Sequence, residues 1–95
     1  MAGPLSGYQI LDLSRILAGP WLGQLLADLG ATVWKIERPF TGDDTRHWGP
    51  PHLDGTTESA YFLSANRGKH SICVDIAPQA GADIVRSLVR KTDVL

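Results

Sequence analysis

The chain has 95 residues, a formal charge of −1 at pH 7 with nine Lys and Arg against ten Asp and Glu, and a single cysteine, Cys73. That length allows one small domain, and the balanced charge excludes both a general basic field for nucleic acid and an acidic tail. One cysteine excludes an internal disulfide framework, no apolar run approaches the roughly 20 residues that cross a bilayer, and Met1 to Pro4 lacks the features of a secretory signal, so a soluble, reduced, cytoplasmic protein with no membrane contact is expected.

In chain order, residues 1–7 are a lead-in containing Gly and Pro, and Tyr8 to Leu13 reads as a first strand. Asp12 within it is costly if buried alone, so it is placed at the strand's carboxyl end, accepting hydrogen bonds from nearby backbone N–H groups. Ala18-Gly19-Pro20 punctuates the chain, with Pro20 suited to the first position of a helix. Leu22, Leu25, Leu26 and Leu29 follow at helical spacing as one apolar stripe, and Trp21 reads as core. Gly30 stops the helix, and Thr32 to Ile36 is a β-branched and aromatic second strand closed by Glu37-Arg38-Pro39. This is a βαβ unit, whose helix start lies at the carboxyl ends of the strands, where open α/β sheets bind ligands. Neither G-x-G-x-x-G nor the nucleoside triphosphate loop motif is present. Glu37 and Arg38 admit two readings: a ribose-binding acid beside a phosphate-binding Arg, or a solvated ion pair.

Residues 40–58 have no period, and a connection this long belongs to a working loop or a disordered one. Asp43, Asp44, His47 and His52 match no recurrent metal-ligand spacing, so no metal is expected there. Trp48 and Pro50-Pro51 mark a loop that packs against something. Ala60 to Ser64 is a short helical turn or an extended piece. Asn66 to His70 forms a basic turn before a strand at Ser71 to Ile76, in which Cys73 reads as a buried, inert thiol. Arg67 and Lys69 flank Gly68 and fit either an anionic ligand or a solvated turn. After Pro78, the residues Ala80, Ile84, Val85, Leu88 and Val89 make a helical stripe, and Thr92 to Leu95 opens what looks like a further strand. The expectation is an N-terminal piece of something larger.

Taken in order, the segments LDLSRILAGPWLGQLLADLGATVWKIERP, GDDTRHWGPP, SAYFLSANRGKHSICVDI and RSLVRKTDVL resemble the N-terminal part of family III CoA-transferases of the CaiB/BaiF type. This group holds the formyl-CoA, carnitine and succinyl-CoA:glutarate CoA-transferases and includes α-methylacyl-CoA racemase. The resemblance runs from Leu5 to Leu95. It implies that residues 1–95 are the N-terminal portion of a Rossmann-like large domain in an interlocked homodimer. It also implies transfer of CoA from an acyl-CoA to a carboxylic acid acceptor through an aspartyl-CoA thioester. None of the aspartates present matches the family's nucleophile, so no catalytic residue is assigned. CoA contacts carry over to Leu17 and Ala18 in the turn after the first strand, to Arg38, and to Val74, Asp75, Ile76 and Ala77. Two positions depart from the pattern. Leu17 stands where some members place a polar residue beside the thioester, and Ala77 stands where several carry Lys. The length of the 42–51 segment favours transferase over the racemase branch. A dinucleotide-binding oxidoreductase domain with Glu37 on a ribose is the alternative from another class, and a non-enzymatic remnant acting only in association is a third.

Overall fold

The computed structural model describes residues 3–95. Three strands form one parallel sheet in the order β1-β2-β3, with β1 at Gln9–Asp12, β2 at Thr32–Glu37 and β3 at Lys69–Cys73. Helix α1, Ala18–Asp28, links β1 to β2. A 3-10 turn at Asp44–His47 and helix α2, Ala60–Ala65, lie between β2 and β3, and helix α3, Gln79–Val89, follows. The last residues return to the free side of β1, where Val94 bridges Ile10 in parallel and accepts the Leu11 N–H at 2.9 Å. The α/β class and parallel sheet expected from the sequence are the ones adopted.

Register places Ile10, Asp12, Val33, Lys35, Glu37, Lys69 and Ser71 on one face of the sheet. Its amino-terminal half is apolar: Ile10, Ala31 and Val33 form a buried cluster against Leu5, Leu26 and Ala27. Side chains of the size of Ile10 and Val33 each contribute about 1.5–3 kcal/mol when fully buried. The carboxyl-terminal half of the same face carries Asp12, Lys35 and Glu37, all buried. An unpartnered buried charge would be prohibitive, and among the described residues no buried side-chain N or O lacks a hydrogen-bond partner. Lys69 Nζ lies 2.9 Å from Asp12 Oδ2 and donates to Pro20 O and Asn66 Oδ1, both at 2.8 Å. Asp12 closes β1, and its other oxygen accepts the Ser14 N–H at 2.8 Å.

That polar half decides which side of α1 meets the sheet. The buried residues of α1 are Pro20, Gly23 and Gln24, while Trp21, Leu22, Leu25 and Leu29 are 60%, 57%, 53% and 39% exposed. Of the expected leucine stripe, Leu26 packs against the core cluster while the other three leucines are exposed, and the core role of Trp21 is corrected. The Asp12–Lys69 pair needs a small residue above it, since a Cβ on Gly23 would stand 2.9 Å from Asp12 Oδ2 and 3.2 Å from Lys69 Nζ. Gln24 ties α1 to the next crossover, donating to Ser64 O at 3.0 Å and accepting the Arg67 N–H at 2.7 Å. The helix starts at Ala18, so Pro20 is its third residue rather than its first; its missing N–H still falls in the first turn, where no intrahelical bond is lost. Gly30, at φ +107°, ends the helix and turns the chain into β2.

Further along, Ala60–Ala65 is helical, and the Ser59 hydroxyl caps it by accepting the Phe62 N–H at 3.3 Å. Trp48 packs on Tyr61 with ring centroids 4.9 Å apart. Strand β3 begins at Lys69, two residues before the expected Ser71, which leaves Val74 to Ala77 beyond the strand. Because β3 lies at the edge of the sheet, Cys73 is exposed and not the buried thiol expected. The stripe on α3 is only partly covered: Val85, Leu88 and Val89 are half-buried and Ile84 is 51% exposed, while the buried residue of the helix is Gly81, outside the stripe.

Candidate functional site

The strands β1, β2 and β3 all deliver their carboxyl ends to one cavity of about 420 Å³, within the size range of small-molecule sites. Leu13, Ser14 and Arg15, the turn leaving β1, make one wall. Lys35 to Glu37 of β2 and Arg38 just after it form the floor and Gly42-Asp43 the rim, while Val74 to Ala77 after β3 make the opposite wall. The arrangement follows from parallel pairing, which stacks three strand ends side by side and leaves the loops to enclose the space above them.

Two ion pairs lie beneath and beside this cavity, and a third lies apart from it under α1. Lys35 Nζ lies 3.0 Å from Asp43 Oδ2, with both side chains essentially inaccessible. Glu37 is gripped by Arg46 through Nε at 2.7 Å and Nη2 at 2.8 Å, by the Ser71 hydroxyl, and by the Asp43 N–H at 2.9 Å. Arg46 in turn stacks over the Phe62 ring, 3.9 Å from its centroid. Burial pushes the Glu37 carboxyl upward, but the bonds from Arg46, Ser71 and the Asp43 N–H outweigh it and hold its pKa down at about 2. Burial likewise opposes ionisation of Asp43, and the Thr45 N–H, Lys35 and the Thr45 hydroxyl overcome it, leaving that carboxyl below its ordinary value. The third pair is Asp12–Lys69, in which burial draws the Lys69 pKa downward against the pull of Asp12.

Of the residues singled out from the sequence, Arg38, Val74, Asp75, Ile76 and Ala77 line this cavity together. Leu17 and Ala18 do not. Leu17 is the N-cap of α1 and 42% exposed, and Ala18 borders a separate shallow hollow with Trp21, Leu22 and Leu25. The solvated pairing of Glu37 with Arg38 is corrected: Glu37 binds Arg46, while Arg38 turns outward to Asp44 and donates from Nε to Gly42 O at 3.1 Å. With its oxygens so occupied, Glu37 offers no free carboxylate to a ribose. Arg67 and Lys69 are not cations of this cavity either. Arg67 pairs with Asp28 at 2.5 Å before β3 begins, at the amino end of the sheet, and Lys69 is consumed under α1. Asp43, Asp44 and His47 take different partners, and among the described residues no group of three or more His, Cys, Asp or Glu could hold a metal ion.

Arg15 was not foreseen. Its guanidinium lies 3.8 Å from the Asp44 carboxylate, which Arg38 also engages, so two half-exposed arginines on the cavity share one acid. Lys35, Asp43 and Arg46 were likewise missed as a framework. The spacing Asp43-x-Thr45 was the available signal: an aspartate accepting from the N–H two residues on is a recurrent turn, here at 3.0 Å.

The family model described as CoA-transferase family III matches residues 5–95. A succinate–glutarate CoA-transferase of Agrobacterium fabrum is 50% identical over 96 residues, covering 97% of this chain and 24% of that protein. A succinyl-CoA:glutarate CoA-transferase of Mus musculus is 56% identical over 91 residues, covering 96% of this chain and 20% of its own length. Among solved structures, a CAIB/BAIF family protein from Brucella suis superposes with a TM-score of 0.89 at 50% identity, over 99% of this chain and 25% of that one. The chain thus spans between a fifth and a quarter of the length of these relatives.

Proposed function

Because the chain belongs to CoA-transferase family III, we propose that residues 1–95 are the N-terminal portion of the large domain of an enzyme that moves CoA from an acyl-CoA to a carboxylic acid, and that they supply part of its CoA site. The observation that carries this is the convergence of Arg38 and Val74 to Ala77, separated in the chain by the 3-10 turn, α2 and β3, on one cavity at the carboxyl end of the sheet. Arg38 and Arg15 are the half-exposed cations there, and guanidinium groups suit the diphosphate and 3′-phosphate of CoA. Leu17 and Ala18, at the start of α1, contact the same CoA in this reading. The nucleophile is an aspartate carried outside residues 1–95. It attacks the donor thioester, expelling CoA thiolate and giving a mixed anhydride; the thiolate then attacks the aspartyl carbonyl, releasing the donor acid and leaving an aspartyl-CoA thioester that the acceptor acid resolves. The complete protein works as a homodimer in the cytoplasm.

The names of the two relatives make succinyl-CoA and glutarate the first pair to assay. Incubation of the complete protein with succinyl-CoA and a panel of dicarboxylic acids, followed by chromatography of the thioesters, tests the proposal. New acyl-CoA formed in proportion to enzyme supports it. Absence of exchange with every acid, together with no calorimetric response to CoA, overturns it. Residues 1–95 alone are expected to give no exchange above an enzyme-free control, since phosphate contacts without a nucleophile cannot open a thioester covalently.

A further inference from the structure

We propose that Lys35 and Asp43 are positioning residues: their buried ion pair holds the turn from Ser14 to Leu17 in a strained shape that sets one wall of the cavity. Ile16 lies at φ +75°, a conformation in which a β-branched side chain crowds its own backbone. Strain of this kind persists only where the surroundings over-determine it, and it gathers at ligand clamps.

The surroundings do so here from two sides. Lys35 Nζ donates to Ser14 O at 3.0 Å, and the Ile16 N–H points to both Asp43 oxygens at 3.3 and 3.4 Å. The two backbone groups that flank Arg15 are thus each held by one member of a single ion pair. The pair itself is fixed from elsewhere: Lys35 by its place in the middle strand, and Asp43 by the Thr45 N–H and hydroxyl at 3.0 and 2.9 Å. A buried ion pair contributes little to stability compared with apolar groups of the same size, so packing alone gives no reason for one here. Holding a carbonyl and an N–H of the same turn needs a donor and an acceptor side by side, which this pair supplies. What the turn presents to the cavity is Arg15, aimed at the same Asp44 that Arg38 engages. The functional consequence rests on the cavity being the CoA site; the coupling of Asp43 to Ile16 does not.

The test is a double-mutant cycle in the complete protein with Asp43→Asn and Ile16→Gly, read by calorimetric titration with CoA and by urea unfolding. Glycine takes the left-handed conformation without strain, so the turn then needs less holding. Asp43→Asn is expected to weaken CoA binding by roughly tenfold alone, and by roughly twofold or less in the Ile16→Gly background, with a matching non-additivity in the urea midpoint. Equal losses in both backgrounds by both measures would reduce Asp43 to a structural acid and overturn the proposal. If the wild-type protein binds no CoA, the functional reading fails while the urea cycle still decides this one. Should Asp43→Asn not fold, hydrogen exchange of the wild-type protein serves: slow exchange at Ile16 supports the staple, and exchange as fast as in the exposed loop at 53–58 overturns it.

Discussion

Glu37 does not pair with its neighbour Arg38; it reaches Arg46, nine residues on, through two bonds of 2.7 and 2.8 Å. One residue of the β2 terminus is thereby locked into the framework while the next is left to face the cavity. Glu37 is 4% exposed, whereas the Arg38 side chain is 49% exposed.

Acid sensitivity follows from the first half of that division. The Glu37 carboxyl ordinarily titrates near 4.5 and in this fold near 2. Its contribution is therefore complete above pH 4.5 and is lost as pH falls from there toward 2, amounting to about 3 kcal/mol. Glu37→Gln is expected to melt lower at neutral pH and to show a flatter decline between those limits. Melting curves from pH 2 to 7 for both proteins check this. Parallel declines would mean that Glu37 is not the group lost in acid.

Ligand affinity follows from the second half. Arg38→Ala is expected to weaken CoA binding by roughly 1.5–3 kcal/mol, or roughly 10- to 150-fold, if the guanidinium meets a phosphate. The wild-type affinity should then fall more steeply with salt than that of the variant. Calorimetric titration at two ionic strengths measures both. Equal affinities and equal salt slopes would return Arg38 to the role of a surface partner of Asp44.

The Asp12–Lys69 pair makes a prediction about stability alone. Lys69→Met removes the cation and leaves Asp12 buried beneath Gly23, and is expected to destabilise the domain by about 3–5 kcal/mol. Adding Asp12→Leu should recover most of that loss, because neither charge is then stranded. Urea unfolding of the single and double variants compares them. A double variant no more stable than Lys69→Met would show that the site does not tolerate an apolar pair.

Gly81 is the position where α3 meets the cavity wall. A Cβ there would lie 1.7 Å from Asp75 O, a backbone atom with no rotamer to retreat into. Gly81→Ala is expected to destabilise the protein by about 2 kcal/mol or more despite the better helix propensity of alanine. It should also weaken CoA binding, since Asp75 to Ala77 line the cavity. Thermal melting and titration together test this, and an unchanged affinity would separate that wall from the ligand.

Some of this was legible in the sequence because it is local. The β-branched run of β2 and the stop at Gly30 act within a few residues, and so does the loop punctuation around residues 40–58; together they define a βαβ unit and the end of the sheet where a cavity forms. The motifs in chain order pointed to the family for the same reason, being contiguous stretches. What the sequence does not contain is the choice of partner for each charge. Glu37 and Arg38 are adjacent, but successive side chains of a strand leave on opposite sides, so adjacency separates them. Lys69 reaches Asp12 across 57 residues, and Asp43 reaches Ile16 across 27. Those pairings exist only once three strands are in register. They also leave Leu22 and Leu25 of α1 exposed while Leu26 packs on the apolar half of the sheet, because the half beneath Gly23 and Gln24 is charged and the helix meets it with its smallest and most polar side.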